Sequence, residues 1–155
     1  MANLYGDNYN NSQVVVPKVK VDAKDYGGRE RVSFDEHTFV ANVVAIGDVL
    51  NLGPIPKGAR VLDVEVYSGD LGTTGVFDLG YSAGDEGLET ADPNAFIIGV
   101  AGTAVALQKM STEAAINPGL GKVFLDKCFL TATFTTATDA ALGVNLKAIV
   151  KYAID

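Results

Sequence analysis

Cys128-Phe129-Leu130-Thr131-Ala132-Thr133-Phe134-Thr135 and, after a loop through Asp139, Val144-Asn145-Leu146-Lys147-Ala148-Ile149-Val150-Lys151-Tyr152 decide the fold class. In the first run Cys128, Leu130, Ala132 and Phe134 alternate with Phe129, Thr131, Thr133 and Thr135. In the second, Val144, Leu146, Ala148, Val150 and Tyr152 alternate with Asn145, Lys147, Ile149 and Lys151. Successive side chains of a strand point to opposite faces, so a period of two sends one set into a core and leaves the other outside. The two runs are expected to pair antiparallel.

Working outward, Arg60 to Tyr67 sets Leu62, Val64 and Val66 against Asp63 and Glu65, and Val76 to Tyr81 sets Phe77 and Leu79 against Asp78. Gly47 to Leu52 is a short strand candidate stopped by Gly53-Pro54-Ile55-Pro56-Lys57-Gly58, because proline cannot donate to a ladder. Arg29 to Phe34 places Val32 and Phe34 opposite Arg31 and Ser33. Val15, Val19 and Val21 alternate with Lys18 and Lys20, and Pro17 assigns that strand to a sheet edge. Asp92-Pro93 has the form of a helix start, an N-cap oxygen followed by proline at the first helical position. Thr103 to Lys109 is expected to be extended again. The whole reads as seven to nine short strands with one short helix, an all-β antiparallel sandwich or jelly roll.

The chain has 155 residues, enough for one domain with its own core. Residues 1–13, rich in Asn and Tyr, are expected to form an extended N-terminal arm, and residues 14–155 the single domain. A frayed terminus is the plainer reading of the arm. In an assembly protein it would pack on a neighbour, with Tyr5 and Tyr9 as amphipathic anchors. The opening residues have neither a basic region nor an apolar run, so no secretory signal is expected. The longest weakly polar stretch, the 13 residues Ala95 to Leu107, is too short to span a bilayer. These features predict a soluble protein made in the cytoplasm.

A net charge of −7 argues against nucleic acid and membrane surfaces as partners, since both need a clustered cationic surface. The charges are unevenly spread. Between Arg60 and Lys109 there is no basic residue, while Asp63, Glu65, Asp70, Asp78, Asp85, Glu86, Glu89 and Asp92 fall in that interval. Lys18, Lys20, Lys24, Arg29 and Arg31 form a basic segment. Of these, Lys18, Lys20, Arg29 and Arg31 join Tyr5 and Tyr9 as candidate partner-binding residues. The acidic interval reads as a solvated face, as a surface for a basic partner, or as a calcium site from Asp85, Glu86, Glu89 and Asp92, although its spacing matches no calcium loop.

No catalytic constellation emerges. His37 is the single histidine and Cys128 the single cysteine, which supplies neither a zinc set nor a disulfide. His37 reads as an exposed loop residue; a small hydrolase using it is the weakest alternative. Cys128, beside Phe129 and Leu130, reads as a core residue. The glycine-rich segment Gly80 to Gly87 follows a strand as a phosphate loop would, but it has no lysine and carries acids where phosphate would sit. A glycosidase cleft would want aromatic platforms, and there is no Trp. Neither cofactor nor metal is expected.

Two segments carry a resemblance: Gly47-Asp48-Val49-Leu50-Asn51-Leu52-Gly53-Pro54-Ile55-Pro56-Lys57-Gly58-Ala59-Arg60-Val61-Leu62-Asp63-Val64, and Phe77-Asp78-Leu79-Gly80-Tyr81 followed by Asp92-Pro93-Asn94-Ala95-Phe96. Their order resembles small virion proteins encoded near the major capsid gene of tailed bacteriophages, some of them capsid cement or decoration proteins. The opening Met1-Ala2-Asn3-Leu4-Tyr5-Gly6 is similar in style. The resemblance covers residues 45 to 100 and rests on turn and strand signatures, so no functional residue is carried over from it. It implies a jelly-roll-like domain on the head shell, a dimer or trimer that binds the major capsid protein and clamps neighbouring capsomers, located in the virion after synthesis in the host bacterium. A carbohydrate- or receptor-binding β-sandwich of a phage tail or surface protein is the alternative.

Overall fold

The computed structural model describes residues 15–18, 20, 28–40, 43–112, 118–139 and 142–154. Among them are eight strands: β1 (Arg29–Thr38), β2 (Val49–Ile55), β3 (Arg60–Ser68), β4 (Val76–Tyr81), β5 (Asp92–Ala101), β6 (Ala106–Lys109), β7 (Cys128–Phe134) and β8 (Asn145–Ile154). They form two four-stranded antiparallel sheets, ordered β1-β8-β3-β6 and β2-β7-β4-β5. Four ladders are nested: β1 pairs β8, β2 pairs β7, β3 pairs β6 and β4 pairs β5. That is the pairing of one long hairpin, turned between β4 and β5 and then rolled up on itself. The β3–β8 and β4–β7 ladders complete each sheet. The chain is an all-β, jelly-roll-like sandwich.

The core lies between the sheets and is built by alternation. Leu146, Ala148, Val150 and Tyr152 of β8 face Leu130, Ala132 and Phe134 of β7 across the interior, with Phe77 and Leu79 beside them. The Phe134 ring lies 5.5 Å from Phe77 and 6.0 Å, edge-on, from Phe39. At the other end the Tyr81 ring meets Phe124 edge-on at 4.9 Å. Aromatic pairs in such geometries add to what burial alone contributes.

Several expectations are corrected. The two C-terminal runs are strands with the anticipated faces, but they do not pair with one another. β7 joins β2 and β4, whereas β8 joins β1 and β3 in the opposite sheet. Each apolar face is satisfied across the sandwich rather than along a shared ladder. The helix expected from Pro93 is instead β5. The Asp92 carboxylate does accept from the Asn94 N–H at 3.4 Å, but Ala95, Phe96, Ile97 and Val100 are buried by the extended pairing with β4. Tertiary burial overrides the local cap signal. The helical structure among the described residues is one 3-10 turn, Met110–Thr112.

β2 continues through Gly53-Pro54 by shifting register between Asn51 and Pro54. In β3 a bulge between Val61 and Asp63 turns Leu62 outward and leaves Val61, Val64 and Val66 inside. Residues 15–17 form a bend rather than an edge strand, and Val19 and Val21 lie outside the described residues. The expected arm, residues 1–13, lies outside them too, as does Lys24. Gly80 allows a close approach: a Cβ there would overlap the Asp92 carbonyl oxygen where β5 begins.

Burial separates two phenylalanines that look alike in sequence. Phe134→Ala should cost about 3–5 kcal/mol of unfolding free energy, whereas Phe34→Ser on the outer face should change it by no more than about 0.5 kcal/mol. Urea unfolding of the two variants checks both.

Candidate assembly interface

The outer face of the β1-β8-β3-β6 sheet is a ladder of mixed apolar and charged rows. Cross-strand register aligns Val32 with Lys151 and Asp63, then Phe34 with Ile149, Glu65 and Lys109, then Glu36 with Lys147, Tyr67 and Leu107. Paired residues share a face, so each row is a contiguous strip. Val32 and Phe34 are 56% and 57% exposed, and Tyr67 and Leu107 are more than one-third exposed. Beside the last row, Tyr67, Val105, Leu107, Asn145 and Lys147 line an open cavity of about 410 Å³.

Glu65 is the exception on this face, because it is buried. Its Oε1 accepts from the Lys151 ammonium at 2.5 Å and from the Lys109 ammonium at 2.9 Å. Those two bonds hold its carboxyl below the usual value, against the opposing effect of burial. In the neighbouring row Lys147 reaches Glu36 at 3.3 Å. Asp63 accepts from the Ser111 N–H and hydroxyl, both at 3.0 Å, and so ties down the 3-10 turn.

At one end of the sandwich the connection from β4 to β5 is organised by carboxylates. Asp126 is buried and accepts from the N–H groups of Glu86 at 2.6 Å, Leu88 at 3.3 Å and Lys127 at 2.7 Å. Burial pushes its carboxyl up, but these donors outweigh that and the net shift is downward. Glu89 behaves likewise: burial works against ionisation, while the Leu125 N–H at 2.8 Å and the Lys122 ammonium at 2.9 Å prevail. Lys122 also lies over the Tyr81 ring, 5.2 Å from its centroid.

The acidic interval is therefore largely matched by the fold. Glu86 pairs with Lys57 at 2.6 Å and Asp85 with Lys127 at 3.3 Å; both lysines lie outside the interval. Asp78 accepts the Gly99 N–H at 2.7 Å within a bulge of β5. The carboxylates read as a possible calcium site are committed to lysines and backbone donors. Among the described residues no group of three or more His, Cys, Asp or Glu is placed to hold a metal.

The sequence-predicted partner residues are only partly brought together. Arg29 and Arg31 stand exposed at the start of β1, while Lys18 and Lys20 are exposed outside any strand. Tyr5 and Tyr9 lie outside the described residues. Sequence reading missed the outward orientation of Val32 and Phe34; their spacing shows that they share a face but not which one.

His37 is in β1 and not in a loop. It is half-buried, with its ring edge-on to Phe39 at 4.8 Å. The cavity of about 310 Å³ beside it is lined also by Phe39, Val43, Val44, Asp48, Val49, Leu50 and Phe134, none of which is a hydroxyl or thiol nucleophile. Cys128 is buried in the core, and burial pushes its thiol up to about 11, which disfavours the thiolate. No helix among the described residues is long and apolar enough to cross a membrane.

No protein-family model matches the chain, and no curated protein matches it. Solved structures do. A chain of the cyanophage Pam1 capsid asymmetric unit is similar at 20% identity and a TM-score of 0.62, covering 92% of this chain and 99% of that one. A chain from the capsid of Ralstonia phage GP4 has 19% identity and a TM-score of 0.65, with 83% and 86% covered. One from the acid-stable capsid of Helicobacter pylori bacteriophage KHP30 has 21% identity and a TM-score of 0.52, with 81% and 87% covered. At these identities the likeness establishes a shared fold.

A carboxyl held low in the folded state stabilises fully above its unfolded value, and that contribution is lost as pH falls through the folded value. Glu65 and Glu89 are both held below the ordinary 4.5, so the melting temperature should drop as pH descends below 4.5. Glu65→Gln should lower the melting temperature at neutral pH, by stranding Lys109 and Lys151, and should flatten part of the acid decline. Thermal melts of both proteins from pH 7 downward check the sign.

Proposed function

We propose that the chain is a non-enzymatic structural protein of a phage virion, a cement or decoration protein that binds the major capsid protein and stabilises the head shell. The observation that carries this reading is the end-to-end likeness between this domain and a chain of a capsid asymmetric unit. The surface supports it. Exposed apolar side chains alternate with paired charges on the β1-β8-β3-β6 sheet, a mixture suited to a protein partner. The charged groups near cavities are tied into ion pairs and backbone contacts, an arrangement that serves rigidity more than turnover. On this reading the protein is made in the host bacterium and ends in the virion.

Contact with the shell is assigned to the basic start of β1, Arg29 and Arg31, together with Lys18, Lys20 and the segment 1–13 carrying Tyr5 and Tyr9. The four cationic side chains, with Glu30 set between the two arginines, would orient the domain on an acidic patch of the shell.

Mass spectrometry and cryo-electron microscopy of purified particles should find this chain at near-capsid copy number; its absence from particles overturns the proposal. Deleting residues 1–13 should abolish particle binding while leaving the melting temperature of the domain unchanged. Unchanged occupancy would remove the arm from the interface.

A further inference from the structure

A sheet edge offers unpaired N–H and C=O groups to any passing strand, and folded proteins usually blunt such edges. Three of the four edges of this sandwich are blunted. β2 carries Gly53-Pro54 and a register shift. β5 carries Pro93, two register shifts and Gly99 at φ +70. β6 is four residues long. β1 differs in every respect. It runs ten residues without glycine or proline, and its ladder to β8 holds ten consecutive pairs with no shift. Among the described residues nothing pairs with its other edge.

The centre of β1 is also complementary to its own reverse. Arg31 and Asp35 lie symmetrically about Ser33, as do Val32 and Phe34, while Glu30 and Glu36, one step further out, are alike in charge. We propose that β1 is a homodimer interface, in which the β1 strands of two copies pair antiparallel about a two-fold axis at Ser33 and join their sheets into one of eight strands.

That register sets Arg31 of each copy opposite Asp35 of the other, and Val32 opposite Phe34. An even offset is required if the two outer faces are to be continuous, because a slip of one residue exchanges the faces. Arg31 and Asp35 lie on the inward side of β1, where isolated charges normally discourage edge pairing. Here their opposite signs, four residues apart, repel a random strand but match a second copy in this one register. The outer side gains two Val32–Phe34 contacts, flanked by Ile149 of each copy. The pairing of Glu30 with Glu36 opposes it, moderated by the Lys147 ammonium at 3.3 Å from Glu36. A two-fold contact of this kind is self-closing, so it yields a dimer and not a fibre.

The inference concerns the free protein and stands whether or not the chain binds a capsid. Where β1 pairs with a second copy, Arg31 faces that copy, and the shell contact proposed above falls to Arg29, Lys18, Lys20 and the segment 1–13. Sedimentation velocity of the full chain at micromolar concentration should show a dimer. Arg31→Glu and Asp35→Lys should each weaken it about tenfold or more, since each puts like charges opposite at two symmetric places. An equimolar mixture of the two variants should restore the dimer, because every such pair is then opposite in sign. Ser33→Cys should cross-link as a disulfide dimer when diamide is the oxidant, with the buried Cys128 taking no part. A chain that is monomeric at every concentration, or a dimer indifferent to both reversals, overturns the proposal. So does a mixture no better than its components. If Asp35→Lys does not fold, failure of Ser33→Cys to cross-link overturns it alone.

Discussion

Everything in this fold waits on β8. The last strand of the chain enters between β1 and β3, and until it does that sheet has no continuous ladder and the core has one open wall. β7 plays the same part in the other sheet, between β2 and β4. The two central strands are thus C-terminal, while the strands they join are N-terminal. Such non-local pairing demands loop closure before any contact rewards it, which makes the topology slow to form and all-or-none once formed. It also leaves β1 as an edge whose regularity is copied from the unbroken β8 ladder beside it.

The second organising feature is the use of carboxylates. Asp126 and Glu89 do not present charge to a partner; they collect backbone N–H groups and an ammonium that would otherwise be unsatisfied at the end of the sandwich. Glu65 does the same on the outer sheet face with two lysines. Removing one member of such a group leaves the buried carboxylate uncompensated, so these positions are sensitive. Of the acidic interval apparent in the sequence, Glu65 and Glu89 are buried in this way, while Asp85 and Glu86 stay at the surface in ion pairs.

The likeness to capsid chains at about one-fifth identity follows from the same physics. A jelly roll requires inward apolar alternation on eight strands and turns able to reverse the chain, and many sequences meet that requirement. What the roll leaves outside includes the exposed row of Val32 and Phe34 and the exposed Arg29 and Arg31 at the start of β1.

The sequence by itself determined the class of fold, the inward residues of β4, β7 and β8, and the core role of Cys128, because a period of two is a local property that burial must respect. Tertiary structure alone decided the rest. Alternation in β7 and β8 could not say that they lie in opposite sheets, since one apolar face can be covered by a neighbour in the ladder or across the sandwich. Asp92-Pro93 satisfied a helix start locally, yet Phe96 and Ile97 were buried only by extension. The pattern of Arg31, Val32, Ser33 and Phe34 marked a strand but left its outer side undefined, because which face meets solvent depends on what lies above it. In β1 that is β2, whose buried Gly53 leaves room for Ser33 and Asp35 and turns Val32 and Phe34 outward to whatever partner the protein meets.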